Sequence, residues 1–547
     1  MHQWISYKDL PNDDIGLSKL FVHYVTDYNS VEPFYNGDFR DPAAWQSLFD
    51  IIASRPIERT KLVQILLNQN RNFQCGVRTL ANIDLLLNDT TFAVVTGQQV
   101  GICGGPLYTL YKILTTLLLS EQLSQQFPNF NFVPVFWLES EDHDIDEATT
   151  LSLITKSSEF VTLKYELQKA QGQKNIGSVG ALTFDDTIQK FLTDMESTVL
   201  PTEFSHSVFE LLHNAYSPEM TFTRGFVHLY NVLLENSGII FFDPRDRTAK
   251  QLMKPIFSKE LLEQPKTCQL VISQSELLEH NYHAQVKPRA VNLFLNYNNG
   301  RYPIEPKDDG FFLRNTRQQY SSDELLSLLE SNPELFSPNV VLRPICQDAL
   351  FPTIAYVAGP SEIAYFAQFK PVYSHFGIPM PLIFPRASVT IMEERPKEIL
   401  QKYNLSFIDI FKEKEFLKKQ IVEQISDFKI EELFTNTAGT IEESLSSLKD
   451  GIEKIDPTLV PALSHTIERM LHSLSILKGK IYSAQDRQHE TALRQLDRAI
   501  TMLLPDSTLQ ERKINITYFL NKYGLEFVRW IQHEMEIDKF KHQIIYL

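Results

Sequence analysis

Apolar residues follow two different rhythms along the chain. Before residue 396 they come in short, dense runs broken by turn-forming residues; beyond it they step at helical spacing. Phe92-Ala93-Val94-Val95-Thr96 is a run of buried-strand type that stops at Gly97. A glycine-bearing loop and a long helical stretch, about Leu107 to Gln125, follow it. Val133-Pro134-Val135-Phe136-Trp137-Leu138 is a second strand of the same kind. Strand, loop, helix and strand within so short a span predict a βαβ unit and a parallel sheet. Further strands are predicted at Gly238–Phe242 and at Val340-Val341-Leu342. The stretches about 155–235 and 255–335 show no clear period and are expected to be insertions.

The second rhythm is a heptad. Ile441, Leu445, Leu448, Ile452 and Ile455 alternate steps of four and three, as do Leu463, Ile467, Met470, Leu474, Leu477, Ile481 and Ala484. Such a stripe marks helices that pack along one seam. Pro457 and Pro461 lie between the stripes and predict a break between two helices, so that about 405–505 forms a helical hairpin with coiled-coil character. Folding on itself and self-association both satisfy the stripe.

Composition supports this division. Of 28 prolines, 24 precede residue 396, and glycine thins out in parallel. The expected domains are an α/β core over 1–395, a helical coiled-coil domain over 396–505, and a segment over 506–547 that packs back on the core. Charge is divided as well. The net charge is −16, but residues 396–547 hold 21 basic and 23 acidic side chains, which leaves −14 on the first 395. So acidic a chain is not expected to grip nucleic acid or an anionic membrane through bulk charge. The four cysteines, Cys75, Cys103, Cys268 and Cys346, are far apart and encode neither a disulfide framework nor a cysteine zinc site. With no basic, then apolar, leader at the start, a reducing cytoplasm is the expected compartment. No membrane span is expected, because the most apolar stretch, Leu107 to Leu119, is too short and contains Lys112.

Three constellations carry candidate chemistry. Thr96-Gly97-Gln98-Gln99, continuing to Gly104-Gly105-Pro106, lies between strand and helix, where backbone N–H groups and the helix dipole suit phosphate or carboxylate. It is neither a Walker A loop nor a dinucleotide fingerprint. Cys103, within this loop, is expected to be a small filler rather than a nucleophile. Glu139-Ser140-Glu141-Asp142-His143-Asp144 follows the second strand, at the sheet edge where open α/β folds bind ligands. Its carboxylates and imidazole suit a base, a metal site or an ammonium seat, or serve as helix-capping acids. The third runs from Arg343-Pro344 through Gln347 and Asp348 to Gly359-Pro360-Ser361-Glu362 and Tyr365, with Arg386 past a further apolar run. Arg343 is expected to follow a strand, where it can clamp an oxyanion.

Taken together, these blocks resemble a known family. Thr96–Gln99 with Gly105-Pro106-Leu107-Tyr108-Thr109 and Lys112, Pro134–Trp137 with Glu141–Asp144, Arg343-Pro344 with Gln347-Asp348 and Phe351-Pro352, Gly359–Glu362 with Tyr365, Pro385-Arg386, and Leu509–Arg512 resemble the bacillithiol-biosynthesis cysteine ligase family (BshC). The blocks come in family order and span nearly the whole chain. The resemblance implies a Rossmann-like core of the class I aminoacyl-tRNA synthetase and nucleotidylyltransferase kind, with connecting-peptide insertions and a helical coiled-coil domain that dimerises. It implies a ligase that joins the carboxyl of cysteine to the amine of glucosaminyl malate, the last step of bacillithiol assembly. Asp142, His143, Asp144 and Arg343 are then the expected catalytic groups. Thr96, Gly97, Gln98, Gln99, Gly105, Tyr108, Lys112, Trp137, Glu141, Gln347, Asp348, Gly359, Ser361, Glu362, Tyr365 and Arg386 are the expected binding groups.

Amide formation from a free carboxylate requires activation, which admits ATP or another adenine nucleotide; no metal is expected. The residues taken by themselves leave other readings open: a nucleotidylyltransferase, a metal-dependent hydrolase on the acidic run, or a non-enzymatic dimeric scaffold.

Overall fold

The computed structural model describes residues 2–12, 14–167, 175, 177–425 and 430–547. The chain forms two compact units, Met1–Ile391 with Pro505–Tyr546, and Met392–Leu504.

The first unit is built on a five-stranded parallel sheet. Its strands lie in the order Leu382–Pro385, Thr353–Ala358, Thr91–Gln99, Asn131–Glu139, Ile240–Phe242. Strands buried on both faces read as continuous apolar runs rather than alternating ones, and Phe92, Val94, Val133, Val135, Phe136 and Leu138 are all buried. The helix Leu107–Gln126 connects the Thr91–Gln99 and Asn131–Glu139 strands and packs on both. Strand order reverses direction at Thr91–Gln99, so the loops on either side of it diverge and leave a crevice at the carboxyl ends.

Two features differ from the sequence expectation. The first strand does not stop at Gly97 but continues to Gln99, in register with Asn131–Glu139. A Cβ at Gly97 would stand 3.0 Å from the carbonyl oxygen of Trp137. The missing side chain therefore lets the two strands stay paired. The second is Val340-Val341-Leu342, expected as a strand. The strand there is Phe336–Pro338, and Val340–Leu342 is a turn. Asn339 causes it: its Oδ1 accepts from Val341 N at 2.9 Å and Leu342 N at 3.3 Å, an Asx turn that bends the backbone. Arg343 thus begins the helix Arg343–Leu350 instead of following a strand.

The stretches without a clear period hold regular structure. Helices Thr187–Thr198, Ser205–Ala215 and Phe222–Leu233 occupy the first. The second contributes most of a five-stranded antiparallel sheet, ordered Gln319–Ser321, Gly310–Leu313, Gly300–Lys307, Leu293–Tyr297, Phe336–Pro338. The chain after Leu504 rejoins the first unit: Leu107 N donates to Ile514 O, and Asn515 Nδ2 donates to Gly105 O, both beside the glycine loop. His542–Tyr546 lies between Gln3–Ile5 and Ser388–Met392 in a small sheet.

In the second unit the helices Lys414–Ile425, Ile430–Ser446, Lys449–Ile455, Val460–Gln488 and Glu490–Leu503 follow one another. The expected break falls at Asp456–Leu459, where the Asp456 side chain accepts from Thr458 N. Pro461 sits inside the first turn of the next helix, where its missing N–H costs nothing. Ile430–Ser446 packs on Val460–Gln488 through Ile430, Phe434 and Tyr482, with Leu474 and Ile481 against them.

Candidate active site

A cavity of about 560 Å³ opens at the carboxyl ends of the parallel strands. Gly97, Gln98 and Gln99 end one strand; Glu139, Glu141, Asp142 and His143 end the next. Gly359, Pro360, Ser361 and Glu362 follow Thr353–Ala358, and Arg386 follows Leu382–Pro385. Tyr108, Lys112, Arg343 and Tyr365 reach it from helices; Phe294 and Arg301 reach it from the antiparallel sheet.

Buried charges need partners, and those deepest in this cavity have them. Lys112 Nζ is 2.5 Å from Glu362 Oε2 and donates to Gly97 O at 2.8 Å and Gln98 Oε1 at 3.0 Å. Glu362 also accepts from Gly359 N at 2.7 Å and the Tyr356 hydroxyl at 2.8 Å. This carboxylate therefore ties the glycine loop to the first turn of the Pro360–Phe366 helix through one lysine. Arg343 pairs with Glu139 at 2.9 Å, with Gln347 Oε1 at 2.9 Å and with the Tyr356 hydroxyl at 3.3 Å. Those contacts take three of its donors, so the expected free bidentate clamp is largely committed to protein partners. Glu141 pairs with the fully buried Lys250 at 2.6 Å, and Arg386 pairs with Glu511 at 2.6 Å.

Two other cations are not neutralised among the described residues. Lys287 and Arg512 line the cavity with no carboxylate partner among the described residues. The buried Arg386 Nε has no hydrogen-bond partner there. Glu139, like Glu147 on the same cavity wall, is an acid that burial pushes up rather than one that its partners hold down. Burial pushes its carboxyl up to about 7, against the lowering effect of Arg343 and with the support of Asp142, Glu141 and Glu362. A group titrating there can exchange a proton at neutral pH.

The structure brings Gly97, Gln98, Gln99, Tyr108, Lys112, Glu141, Asp142, His143, Arg343, Gly359, Ser361, Glu362, Tyr365 and Arg386 together around this one cavity. Six expected residues lie outside its lining. Thr96 is buried and donates to Val357 O, which joins two strands. Trp137 is buried against Phe242. Gly105 takes φ 73° ahead of the Leu107–Gln126 helix. Asp144 caps the short helix Ile145–Thr149 by accepting from Glu147 N, while its carbonyl accepts from Gln99 Nε2 at 2.8 Å. Gln347 and Asp348 form a buried layer behind Arg343, with Asp348 accepting from the Tyr373 hydroxyl. Cys103 is buried at φ 51°, and burial raises its thiol, which removes thiolate character.

Residues 5–387 match the model "Bacillithiol biosynthesis BshC, N-terminal Rossmann-like domain" and residues 389–547 match its "C-terminal coiled-coil domain". The chain belongs to the BshC family. Relatives named "Putative cysteine ligase BshC" include one from Salinibacter ruber, 38% identical over 96% of both chains. Another, from Chlorobaculum tepidum, is 37% identical over 95% of both. One from Bacillus cytotoxicus is 27% identical over 97% of this chain and 99% of its own.

For this BshC-family chain, sequence reasoning passed over several residues that line the cavity. Glu139 lay in the acidic run but was not among the expected site groups, since its environment is set by Arg343, over 200 positions away. Glu147, in the first turn of the Ile145–Thr149 helix, also lines the cavity. Lys287, Arg289, Phe294, Arg301 and Asn339 come from the stretch without period or its edge, where no local pattern distinguishes a site residue from a surface one. Arg512 had one signal, the resemblance of Leu509–Arg512 to the family.

Proposed function

We propose that this cavity is the site of a cysteine ligase that forms an amide between the carboxyl of L-cysteine and the amine of glucosaminyl malate, giving bacillithiol. The relatives' printed name supports the ligase reading, and family membership supports the pathway. The observation that carries the chemistry is a carboxyl held near 7, Glu139, in a cavity otherwise rich in cations.

Three requirements of the reaction find residues here. A carboxylate must be activated before an amine can displace one of its oxygens. ATP supplies that activation, and Lys287 and Arg512, which have no carboxylate partner among the described residues, suit its phosphates. The substrate carboxylates need the same kind of cationic surroundings. The amine must lose a proton as it attacks the carbonyl carbon. Glu139, ionised above about pH 7 and hydrogen-bonded on one side by Arg343, takes that proton. The ion pair Lys112–Glu362 holds the glycine loop in place under the reactants.

The test is incubation of the purified chain with cysteine, glucosaminyl malate and ATP, followed by mass detection of the amide. Product is expected only when all three are present. Pyrophosphate release without amide would assign a nucleotidyl transfer instead.

A further inference from the structure

The sequence suggests His143 as a base. The hydrogen bonding around the ring assigns it the opposite task. We infer that Arg301 holds His143 as a neutral imidazole with its proton on Nε2. The ring then offers the cavity a hydrogen-bond donor, aimed at an anionic oxygen of the reactants.

Arg301 is fixed from several sides. It is almost fully buried; its Nε donates to Ser337 Oγ at 2.9 Å and its Nη2 to Pro338 O at 2.9 Å. Its guanidinium lies over the Phe294 ring at 3.8 Å. Its Nη1 lies 3.0 Å from His143 Nδ1 and 3.9 Å from Asp142 Oδ1. A guanidinium has donors only and does not give up its proton in a protein. The contact therefore requires a lone pair on Nδ1.

One neighbour competes. Asp142 Oδ1 lies 3.3 Å from the same Nδ1 and would prefer a proton there. That oxygen already accepts from the His143 backbone N–H at 2.7 Å. A proton on Nδ1 would also point at the immobilised Arg301. With Nδ1 bare, the proton sits on Nε2. That atom has no protein partner among the described residues, and the half-exposed ring lines the cavity. A nitrogen that already carries its proton cannot take one from an amine. It can stabilise an oxygen whose negative charge grows as the amide forms. Arg301 is thus a positioning residue that acts through His143, and proton acceptance stays with Glu139. The role in catalysis rests on the ligase reading above; the tautomer does not.

The experiment combines a spectrum with a substitution series. Solid-state ¹⁵N spectra of the full chain with labelled histidine are compared for the wild type and His143→Gln, so that the difference isolates His143. The expected difference shows a bare Nδ1 and a protonated Nε2. A bare Nε2, or two protonated nitrogens, overturns the inference. Arg301→Lys keeps the charge but cannot make the three forked contacts, and protonated Nδ1 is expected to appear; an unchanged spectrum refutes the role of Arg301. In the amide assay, His143→Gln keeps an N–H near the Nε2 position and is expected to retain at least tenfold more activity than His143→Ala. Equal loss in the two overturns the donor role. If the wild type makes no amide, it is the ligase reading that fails, and the spectrum still decides the tautomer.

Discussion

At the residue scale, the cavity acids differ because their partners differ. Glu362 has a lysine at 2.5 Å and further donors in Gly359 N and the Tyr356 and Tyr365 hydroxyls, and together these outweigh burial and hold its carboxyl below the usual range. Glu139 has one arginine and three acidic neighbours, so burial prevails. Activity limited by Glu139 as a base rises with pH through about 7, because only the deprotonated form accepts the amine proton. Glu139→Gln is expected to lower turnover by roughly 10²–10⁴-fold and to abolish that limb, which initial rates between pH 5.5 and 8.5 measure. The Lys112–Glu362 pair supports a second prediction. Lys112→Met leaves a buried carboxylate unpaired and should cost roughly 3–5 kcal/mol. Adding Glu362→Gln should restore much of it, read from denaturant unfolding midpoints of the two variants.

At the element scale, the small sheet of Gln3–Ile5, His542–Tyr546 and Ser388–Met392 joins distant parts of the chain. His542 lies at its centre, fully buried, between Ser388 Oγ at 2.8 Å and Thr390 Oγ1 at 3.0 Å. Burial lowers its imidazole to about 4, with Arg386 adding to the effect and Glu511 opposing it. The folded state therefore prefers the neutral ring more than the unfolded chain does. Its contribution is complete above about pH 6.5 and is lost as pH falls toward 4. Between pH 7 and 5 the loss is about 2 kcal/mol. Unfolding of the wild type at the two pH values should show it, and His542→Gln should be less sensitive over that interval.

At the scale of the whole molecule, the helical unit buries only part of its stripe. Leu474 and Ile481 pack inside the hairpin, whereas Leu448, Ile455, Met470 and Leu477 are exposed. Met470 and Leu477 also line an apolar groove with Ile441 and Leu474. We propose that a second copy of the chain covers this face in a symmetric homodimer. Near-neutral charge over 396–547 permits the approach. Met470→Glu with Leu477→Glu should separate the protomers while helicity is retained, since neither residue belongs to the inner cluster. Light scattering at micromolar concentration checks it, and a monomeric mass for the wild type would refute the dimer.

By itself the sequence determined the elements whose signal is local. The run Val133–Leu138 reads as an inner strand and is one, and the 4-3 stripes read as helix, although the first crosses a break between Ser446 and Lys449 and leaves Leu448 and Ile455 exposed. The glycine loop, the acidic run, Gly359–Glu362 and Arg386 were also legible, because each lies at or just past a strand end. Tertiary structure decided what depends on distant partners. Val340–Leu342 carries strand-forming side chains, yet two backbone hydrogen bonds donated to Asn339 Oδ1 turn it. Arg343 reads as a free cation until Glu139, Gln347 and Tyr356 occupy it. Arg301 is one arginine in a stretch without period, and only the antiparallel sheet carries it to His143, 158 positions away. Periodicity records which face of an element is buried. It does not record which charge meets which, since a pairing across the fold leaves no pattern within either segment.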